Sequence, residues 1–377
     1  MLVKEVDVVM KVENRKEIEN NFLPHKGKKT ISLCFFLCIA VLSILAILSF
    51  NKSFSFSEFF IFLKNTSFLW IVLAFASVFL YIYFEGASIL TICDAFGYKK
   101  KKKDGFFYSA ADIYFSAITP SASGGQPASA YFMLKDGIPI PIITVALLYT
   151  LFMFSLSILL LDVIAFCFYP HLFFEFDFLA KLFIIIGFFV QLGLFFLFYT
   201  LLYKKNLLNR ICSWFLKVFV KLHVVKDIEK KQEKLNQTME KYQEASLLIK
   251  GKKGLLLRIF LFNLLQRIFQ IGTIALVFLA TGGKITDAIL VSAIQSFVIT
   301  GAYCVPIPGA IGVTDYLLLN GFKKVLSTSQ AVHLELLTRG ISFYCCILIC
   351  GIAVIVKFWI QKRHLVICQD ENRKLLK

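Results

Sequence analysis

The chain has 377 residues, is 58% hydrophobic, contains 42 Phe and carries a formal net charge of +17. Its mean hydropathy of +0.75 and several apolar runs longer than about 18 residues define a polytopic α-helical membrane protein, with no room left for a separate soluble catalytic domain. The positive charge lies beside the apolar runs, which indicates cytoplasmic loops and attraction to anionic lipid rather than nucleic-acid binding.

The ten Cys and five His give no disulfide or zinc pattern. Most Cys lie inside apolar runs, where the thiol packs as a small apolar group. Cys34/Cys38 and Cys346/Cys350 have helical spacing and make a soft-metal site conceivable, but no His or carboxylate converges with them. We therefore expect neither a metal nor a cofactor.

The polar residues 1–29 are predicted to form a cytoplasmic tail. The first apolar run is followed by no small-residue cleavage site, which favours a retained helix over a removed signal peptide. At ~1.5 Å per residue, six apolar runs can each cross the ~30 Å hydrocarbon core. These predicted full spans are Ile31–Phe50, Phe68–Ile92, Pro139–Phe168, Leu179–Tyr203, Leu255–Ala280 and Arg339–Ile360.

Lys and Arg predict the orientation of the spans. Basic residues precede the first span, Lys99–Lys103 follow the second, and a dense basic segment fills 204–253. The loops 51–67, 169–178 and 281–284 are poor in basic residues. The positive-inside rule then places both termini in the cytoplasm.

Two further apolar segments, Phe106–Leu134 and Ile285–Leu326, are interrupted by the motifs ITPSASGGQP and VPIPGAIG. Pro and Gly break the helical ladder, and irregular backbone at membrane depth is tolerated only inside protein or beside a water-filled cavity. Basic flanks predict that the first segment enters and leaves on the cytoplasmic side. Its limb Phe106–Thr119, ~21 Å long, is too short to cross. The second segment is predicted to re-enter from outside, although Ile285–Cys304 could span alone.

The order span, span, hairpin, span occurs twice, and the offsets from Phe68 to Leu255 and from Pro120 to Pro306 differ by a single residue. The predicted fold is therefore an all-α polytopic membrane protein with six full spans and two re-entrant broken hairpins in inverted-topology repeats. Coincidence in a protein that crosses repeatedly is the alternative. The predicted regions are repeat 1 at about 30–169, repeat 2 at about 179–361, a cytoplasmic insertion at 204–254 within the transmembrane domain 30–361, and a C-terminal tail at 362–377.

The insertion has two predicted parts. Leu207–Val225 has apolar residues at helical spacing and basic residues on the other side, which suits a helix in the inner membrane interface. Asp227–Lys250 is highly charged and is predicted to be a solvated helix, with a partner-binding coiled coil as the alternative.

Charged residues at membrane depth are costly and are functional candidates. Glu85 and Arg267 lie within equivalent predicted spans and could form an ion pair that either locks two helices or lines a substrate path. Asp112 lies in the first hairpin and Asp315 just after the second break; with Glu85 they are candidates for proton coupling. Arg339 is expected nearer the outer interface, as is Asp162, and either binds phosphate or extends to the head groups.

The breaks themselves offer an anion site, because backbone N–H groups at a Gly-rich turn before a helix attract negative charge. The turn residues of the first break precede a limb predicted to start at Ala128, and those of the second precede a limb predicted near Val313. A phosphodiester held by the first turn and a cationic head group held by Asp315 would fit an aminoacylated lipid. The alternative is that Gly and Pro only allow close packing. The candidate turn residues are Ser121, Ser123, Gly124, Gly125, Gln126, Gly309 and Gly312.

The first break, followed by Tyr131, resembles the first signature of the lysylphosphatidylglycerol synthase transmembrane family, and the segment from Pro306 to Asp315 is similar to its second. Arg339 resembles a recurrent Arg of the last span. The resemblance covers about residues 30–360 and adds Pro120, Pro127, Pro306 and Pro308 to the candidate substrate-binding residues. Some members of the family have Arg or Lys just before the Tyr of the first signature, where this chain has Ser129-Ala130. The resemblance therefore does not fix the identity of the head group.

The resemblance implies lipid translocation in a bacterial plasma membrane, as in the flippase domain of the multiple peptide resistance factor. The expected substrate is lysylphosphatidylglycerol or a related anionic or aminoacylated phospholipid. The sequence ends soon after the last predicted span, so we expect no synthase domain, no catalytic residues and no enzymatic activity. The alternatives are a phosphatidylglycerol lysyltransferase and a subunit that anchors a separate synthase, and a homo-oligomer is also open. No P-loop motif is present, so active transport would need an ion gradient or a partner.

Overall fold

The computed structural model describes residues 56–203, 240, 242 and 244–375, and its description of side chains ends at residue 361. The regular elements of these residues are helices. In chain order they are α1 Phe56–Lys64, α2 Phe68–Ala95, α3 Lys102–Ile118, α4 Gly125–Lys135, α5 Ile140–Phe168, α6 Pro170–Glu175, α7 Phe178–Tyr203, α8 Lys253–Ala280, α9 Ile285–Tyr303, α10 Val313–Phe322, α11 Thr328–Arg339 and α12 Cys346–Leu375.

Six helical stretches in the described part are long and apolar enough to cross a membrane. Five of them, α2, α5, α7, α8 and the stretch Thr328–Gln361, correspond to predicted spans, and the sixth is α9. The all-α polytopic fold is thereby confirmed. The predicted first span Ile31–Phe50, the tail 1–29 and the interfacial helix Leu207–Val225 lie outside the described residues.

The last span is longer than predicted. It begins at Thr328 rather than Arg339, continues through a π-helical segment, Gly340–Cys345, and passes into α12. The burial of α11 was not predicted because its sequence is polar. Hydropathy depends on the composition of a helix and not on the neighbours that cover it. Arg339 therefore lies inside a continuous helix and is 5% exposed.

Each of the two predicted hairpin segments contains two helical limbs separated by a broken turn. A 3₁₀ turn, Pro120–Ala122, joins α3 to α4, and a second, Pro308–Ala310, precedes α10. Each Pro is followed by two residues of positive φ, namely 52° and 53° in the first turn and 62° and 47° in the second. This shared conformation pairs Pro120 with Pro308, whereas the sequence offset had paired it with Pro306. The start predicted at Ala128 was three residues late, and the start at Val313 is confirmed.

The helices α2 and α8, which the predicted repeat makes equivalent, pack along each other. The hairpin limb α3 packs on α2 and α12, while α9 packs on α7, α5 and α8. Glycines permit two close crossings: a Cβ at Gly86 would collide with the backbone of Gly105, and one at Gly187 with the backbone of Thr300. Small residues of this kind let membrane helices approach closely.

The end of the insertion folds back on the helices. Residues 244–250 are helical, and the Ser246 hydroxyl donates to the Leu202 carbonyl at 2.7 Å. The Tyr242 hydroxyl donates to the Leu201 carbonyl at 3.0 Å, and Tyr149 donates to the Ser246 carbonyl at 3.1 Å. The described end of the segment predicted as a solvated helix is thus partly buried against α5 and α7.

Candidate functional site

The two broken turns contact each other, and the second also contacts α3. Their backbone N–H groups are largely used within each turn. In the first, the Ser123 N–H donates to the Pro120 carbonyl at 3.2 Å and the Gly124 N–H to the Thr119 hydroxyl at 2.9 Å. In the second, the Gly312 N–H donates to Asp315 at 3.0 Å.

Three N–H groups of the predicted anion site, those of Ser123, Gly124 and Gly312, therefore already have acceptors in this conformation. Positive charge at the centre of the structure comes instead from two buried arginines, one on α8 and one on α11.

The first hairpin is closed by Asp112, which is 8% exposed. Its carboxylate accepts from the Ser116 hydroxyl at 3.1 Å and from the Gln126 amide at 2.5 Å. Gly125 lies directly under this arrangement, since a Cβ there would collide with Asp112 and Ser116. Packing is thus one demonstrable role of Gly125, and Asp112 connects the two limbs across the break.

Glu85 and Arg267 come close enough to influence each other electrostatically, but in the described part of the chain they do not form the predicted ion pair. The Glu85 carboxylate instead accepts from the Gln266 amide at 2.7 Å and lies within hydrogen-bonding reach of Asp112. Arg267 donates to Gln270. Two glutamine side chains of α8 thus bind the charged groups of Glu85 and Arg267, which the sequence predicted to pair with each other.

Arg267 is 1% exposed, and its guanidinium lies 4.2 Å from the ring centroid of Phe154 and 5.3 Å from that of Tyr81. Its Nε has no hydrogen-bond acceptor among the described residues, and the Tyr303 hydroxyl lies within hydrogen-bonding reach of its guanidinium. Aromatic faces stabilise a cation only partly. A buried guanidinium held in this way retains capacity for an anion.

The second hairpin carries Asp315, which is fully buried. Its carboxylate accepts from the Gly312 N–H and lies 2.7 Å from Nε of Arg339. The Arg339 guanidinium also lies 4.5 Å from the ring centroid of Phe343. A Cβ at Gly309 would collide with that same ring, so the turn, the aromatic ring and the arginine form one stack.

Glu335 was missed by sequence reasoning. It lies one helical turn before Arg339, is 0% exposed, and interacts electrostatically with Arg339 and Asp315. The carboxyl group of Glu335 lies within hydrogen-bonding reach of the carboxyl group of Asp315. The signal in the sequence was its spacing of four residues from Arg339, which places both on one helix face.

The remaining sequence-predicted residues are less central to this charged region. Pro120 and Pro308 open the two turns, and Pro306 precedes the second. Pro127 lies in the first turn of α4, where a missing N–H costs little. Tyr131 lies farther along α4, and the ammonium of Lys135 is 5.8 Å from its ring centroid.

A second buried network was also missed. Lys357 of α12, which is 3% exposed, places its ammonium 2.9 Å from Asp104 and 2.6 Å from Asp136. Asp136 additionally accepts from the Tyr108 hydroxyl at 2.6 Å and the Gln361 amide at 2.7 Å. The two aspartates flank the first hairpin, so the network fastens both of its ends to the last span.

Two further aspartates fasten the second half. Asp162, predicted near the outer interface, is 5% exposed and accepts from the hydroxyls of Ser296, at 2.6 Å, and Thr300. It borders an apolar cavity of about 270 Å³. Asp177 accepts from the Tyr316 hydroxyl and, at 2.7 Å, from the Asn320 amide, which connects α10 to the start of α7.

The fold and the central charges define a polytopic membrane protein in which two broken hairpins meet beside buried arginines. The sequence profile described as the lysylphosphatidylglycerol synthase TM region matches residues 35–350. The chain belongs to this family. No curated protein matches the chain.

Proposed function

We propose that the protein is a lipid flippase or lipid transporter that moves a phospholipid with an anionic or aminoacylated head group between the leaflets of the bacterial plasma membrane. Lysylphosphatidylglycerol is the substrate that the family name suggests. The head group is held at the meeting point of the hairpins, while the acyl chains stay in the surrounding lipid.

Arg267 is the observation that carries this proposal. A guanidinium near the middle of an apolar helix is costly to bury, and here it forms no ion pair with a carboxylate of the described residues. The phosphodiester of a phospholipid is an anion suited to the parallel donors of Arg. Binding the phosphodiester would compensate the buried charge of Arg267 and shield the phosphate while the lipid crosses the membrane.

The contact between the two turns supports the same proposal. Broken helices that meet in the membrane interior are typical of transporter binding sites. The networks of Lys357 and Asp177 join the hairpins to other helices through polar contacts that can be exchanged. Alternating exposure of the central site would require such contacts to break on one side and form on the other.

The test is translocation in liposomes that carry tail-labelled phosphatidylglycerol or lysylphosphatidylglycerol. We would follow the inner-leaflet label that becomes accessible to an external quencher. Wild-type protein should move at least one of the two lipids, Arg267→Gln should lose most of that movement, and Arg267→Lys should retain part of it.

Arg258 supplies a matched control, because it lies on the same helix and also contacts an aromatic ring, with 5.5 Å to the centroid of Phe262, but is exposed. Arg258→Gln should therefore translocate normally. Equal rates for folded Arg267→Gln and Arg258→Gln would remove Arg267 from the path. No movement of either lipid by the folded wild-type protein would count against a flippase for these lipids.

A further inference from the structure

Two buried carboxyl groups lie within hydrogen-bonding reach of each other beside Arg267. They belong to Glu85 on α2 and Asp112 on α3, which are 6% and 8% exposed. An ionised carboxylate has acceptors only, so a hydrogen bond between the two groups requires a proton on one of them. Two carboxylates that share a buried site also repel each other when both are ionised. The geometry therefore describes a pair that holds one proton.

The charges around the pair lead to the same protonation state. The titratable or charged groups of the described helices that act on it are Arg267 of α8, Tyr81 of α2, Tyr303 of α9 and Cys350 of α12. Phenol and thiol groups are uncharged at neutral pH, so the guanidinium is the charge that remains. One guanidinium balances one carboxylate, and a second carboxylate would leave a costly uncompensated charge in a buried region.

Each carboxyl group of the pair has a glutamine partner that suits either protonation state. The Gln266 amide donates to Glu85 at 2.7 Å and the Gln126 amide to Asp112 at 2.5 Å. The side-chain oxygens of both glutamines make no hydrogen bond within the described part of the chain, and Gln266 is 1% exposed. Because an amide carries donors and an acceptor, rotating it by half a turn presents the unused oxygen to the O–H of a protonated carboxyl group. These buried oxygens thus point to a further proton on the pair.

We infer that Glu85 and Asp112 form a proton-binding site that couples the movement of an anionic lipid to the movement of a proton. At rest the pair holds one proton beside the charged Arg267. A phosphodiester that binds Arg267 adds one negative charge, and a second proton, taken from water onto the remaining carboxylate oxygen, restores neutrality. That proton leaves when the lipid leaves. This inference rests on the proposed function, because it names the ion that accompanies the head group.

The first experiment detects the shared proton in the absence of a lipid substrate. Infrared spectra of the purified full-length protein at neutral pH are compared for the wild type, Glu85→Gln and Asp112→Asn, and the carbonyl stretch of a protonated carboxyl group is followed. The wild type should have this band, and either substitution should remove it, because Arg267 then balances the single carboxylate that remains. Contributions from other buried carboxyl groups cancel in the difference spectra.

Asp94→Asn is the matched control, since Asp94 lies on the same helix as Glu85 but is exposed. Its spectrum should match that of the wild type in this region. A wild type without the band, or a band that persists unchanged in folded Glu85→Gln and Asp112→Asn, overturns the inference.

The second experiment separates this inference from the proposed function. Liposomes with tail-labelled phosphatidylglycerol in both leaflets are given an acidic lumen, and the label in each leaflet is measured with the external quencher. If one proton crosses with each lipid, a gradient of one pH unit should raise the ratio of outer to inner label to about ten. Dissipating the membrane potential should not change this ratio, because the anionic lipid and its proton together carry no net charge.

The outcomes of this experiment are distinct. Lipid movement that ends in equal labelling of the two leaflets refutes the coupling and leaves the flippase standing. Whatever movement remains in the double variant Glu85→Gln/Asp112→Asn should end in equal labelling, and an unequal end point there also refutes the assigned proton site. No movement by the folded wild type counts against a flippase for this lipid, and the infrared band of the lipid-free protein then decides alone whether the pair holds a proton.

Discussion

Replacing Lys357 by Met should destabilise the protein by about 3 kcal/mol, because it removes the buried cation that lies between two partly buried carboxylates. The ammonium is 2.9 Å from Asp104 and 2.6 Å from Asp136, and these carboxylates are only 17% and 15% exposed. Removing one partner of a fully buried pair costs about 3–5 kcal/mol. We take the lower end because both aspartates keep some contact with water.

The loss of Lys357 should be more unfavourable for Asp104 than for Asp136, because Asp136 keeps more hydrogen-bond donors. Without Lys357, Asp136 still accepts from Tyr108 at 2.6 Å and Gln361 at 2.7 Å. Asp104 then keeps the weaker hydrogen bond from the Lys101 N–H at 3.2 Å. Adding Asp104→Asn to Lys357→Met should therefore recover about 1–2 kcal/mol, and adding Asp136→Asn should recover less than that.

The free energies would come from reversible unfolding of the purified variants in mixed micelles, arranged as a double-mutant cycle. The reasoning would be refuted by a Lys357→Met variant within about 0.5 kcal/mol of wild type, the range expected for an ordinary surface position. It would equally be refuted if Asp136→Asn were the better rescue, since the donors that remain on Asp136 would then carry no weight.

Three other predictions concern the hairpins and their attachments, each measured by the same unfolding assay. Gly309→Ala should lower the free energy of unfolding by about 2 kcal/mol more than Gly312→Ala does. Both glycines have positive φ, 62° and 81°, but only at Gly309 would the new Cβ collide with Phe343. Equal losses of stability in the two variants would contradict this reasoning. Asp162→Ala should cost about 2 kcal/mol, because two hydroxyls lose a charged acceptor, and a neutral result would show that they find other acceptors. Asp177→Ala should cost only about 1 kcal/mol, since its hydrogen bonds to α10 are exposed; a loss as large as that of Lys357→Met would mean that this contact is shielded from water.

The predicted spans and broken hairpins follow from local features of the sequence. Apolar runs set the lengths of α2, α5, α7 and α8 to within three residues at each end, because burial in lipid depends on composition. The two turns were found because Pro and Gly disrupt a helix wherever they occur. Such features can be recognised in the sequence without knowing which helices are neighbours in the fold.

The contacts of the charged side chains could not be read in this way. Lys357 was assigned to the end of the last span, and its pairing with Asp104 depends on how α3 packs on α12. Glu85 and Arg267 were paired through the repeat, but their nearest partners are glutamines of α8. Glu335 lies in a helix whose polar sequence resembles an exposed one. Each of these outcomes is decided by tertiary packing, for which single-sequence patterns carry little information.

The π-helical segment Gly340–Cys345 has a consequence for how the last span can move. A π turn holds one residue more than an α turn, so it is an insertion that the helix accommodates without breaking. If that extra residue passes to a neighbouring turn, the side chains between the two positions rotate by about 100° around the helix axis. Glu335 and Arg339, just before the segment, could thus be turned toward or away from the hairpins while α12 stays in place. In that case the position of the π turn along the span, rather than the tilt of the span, would determine which of its side chains face the hairpins.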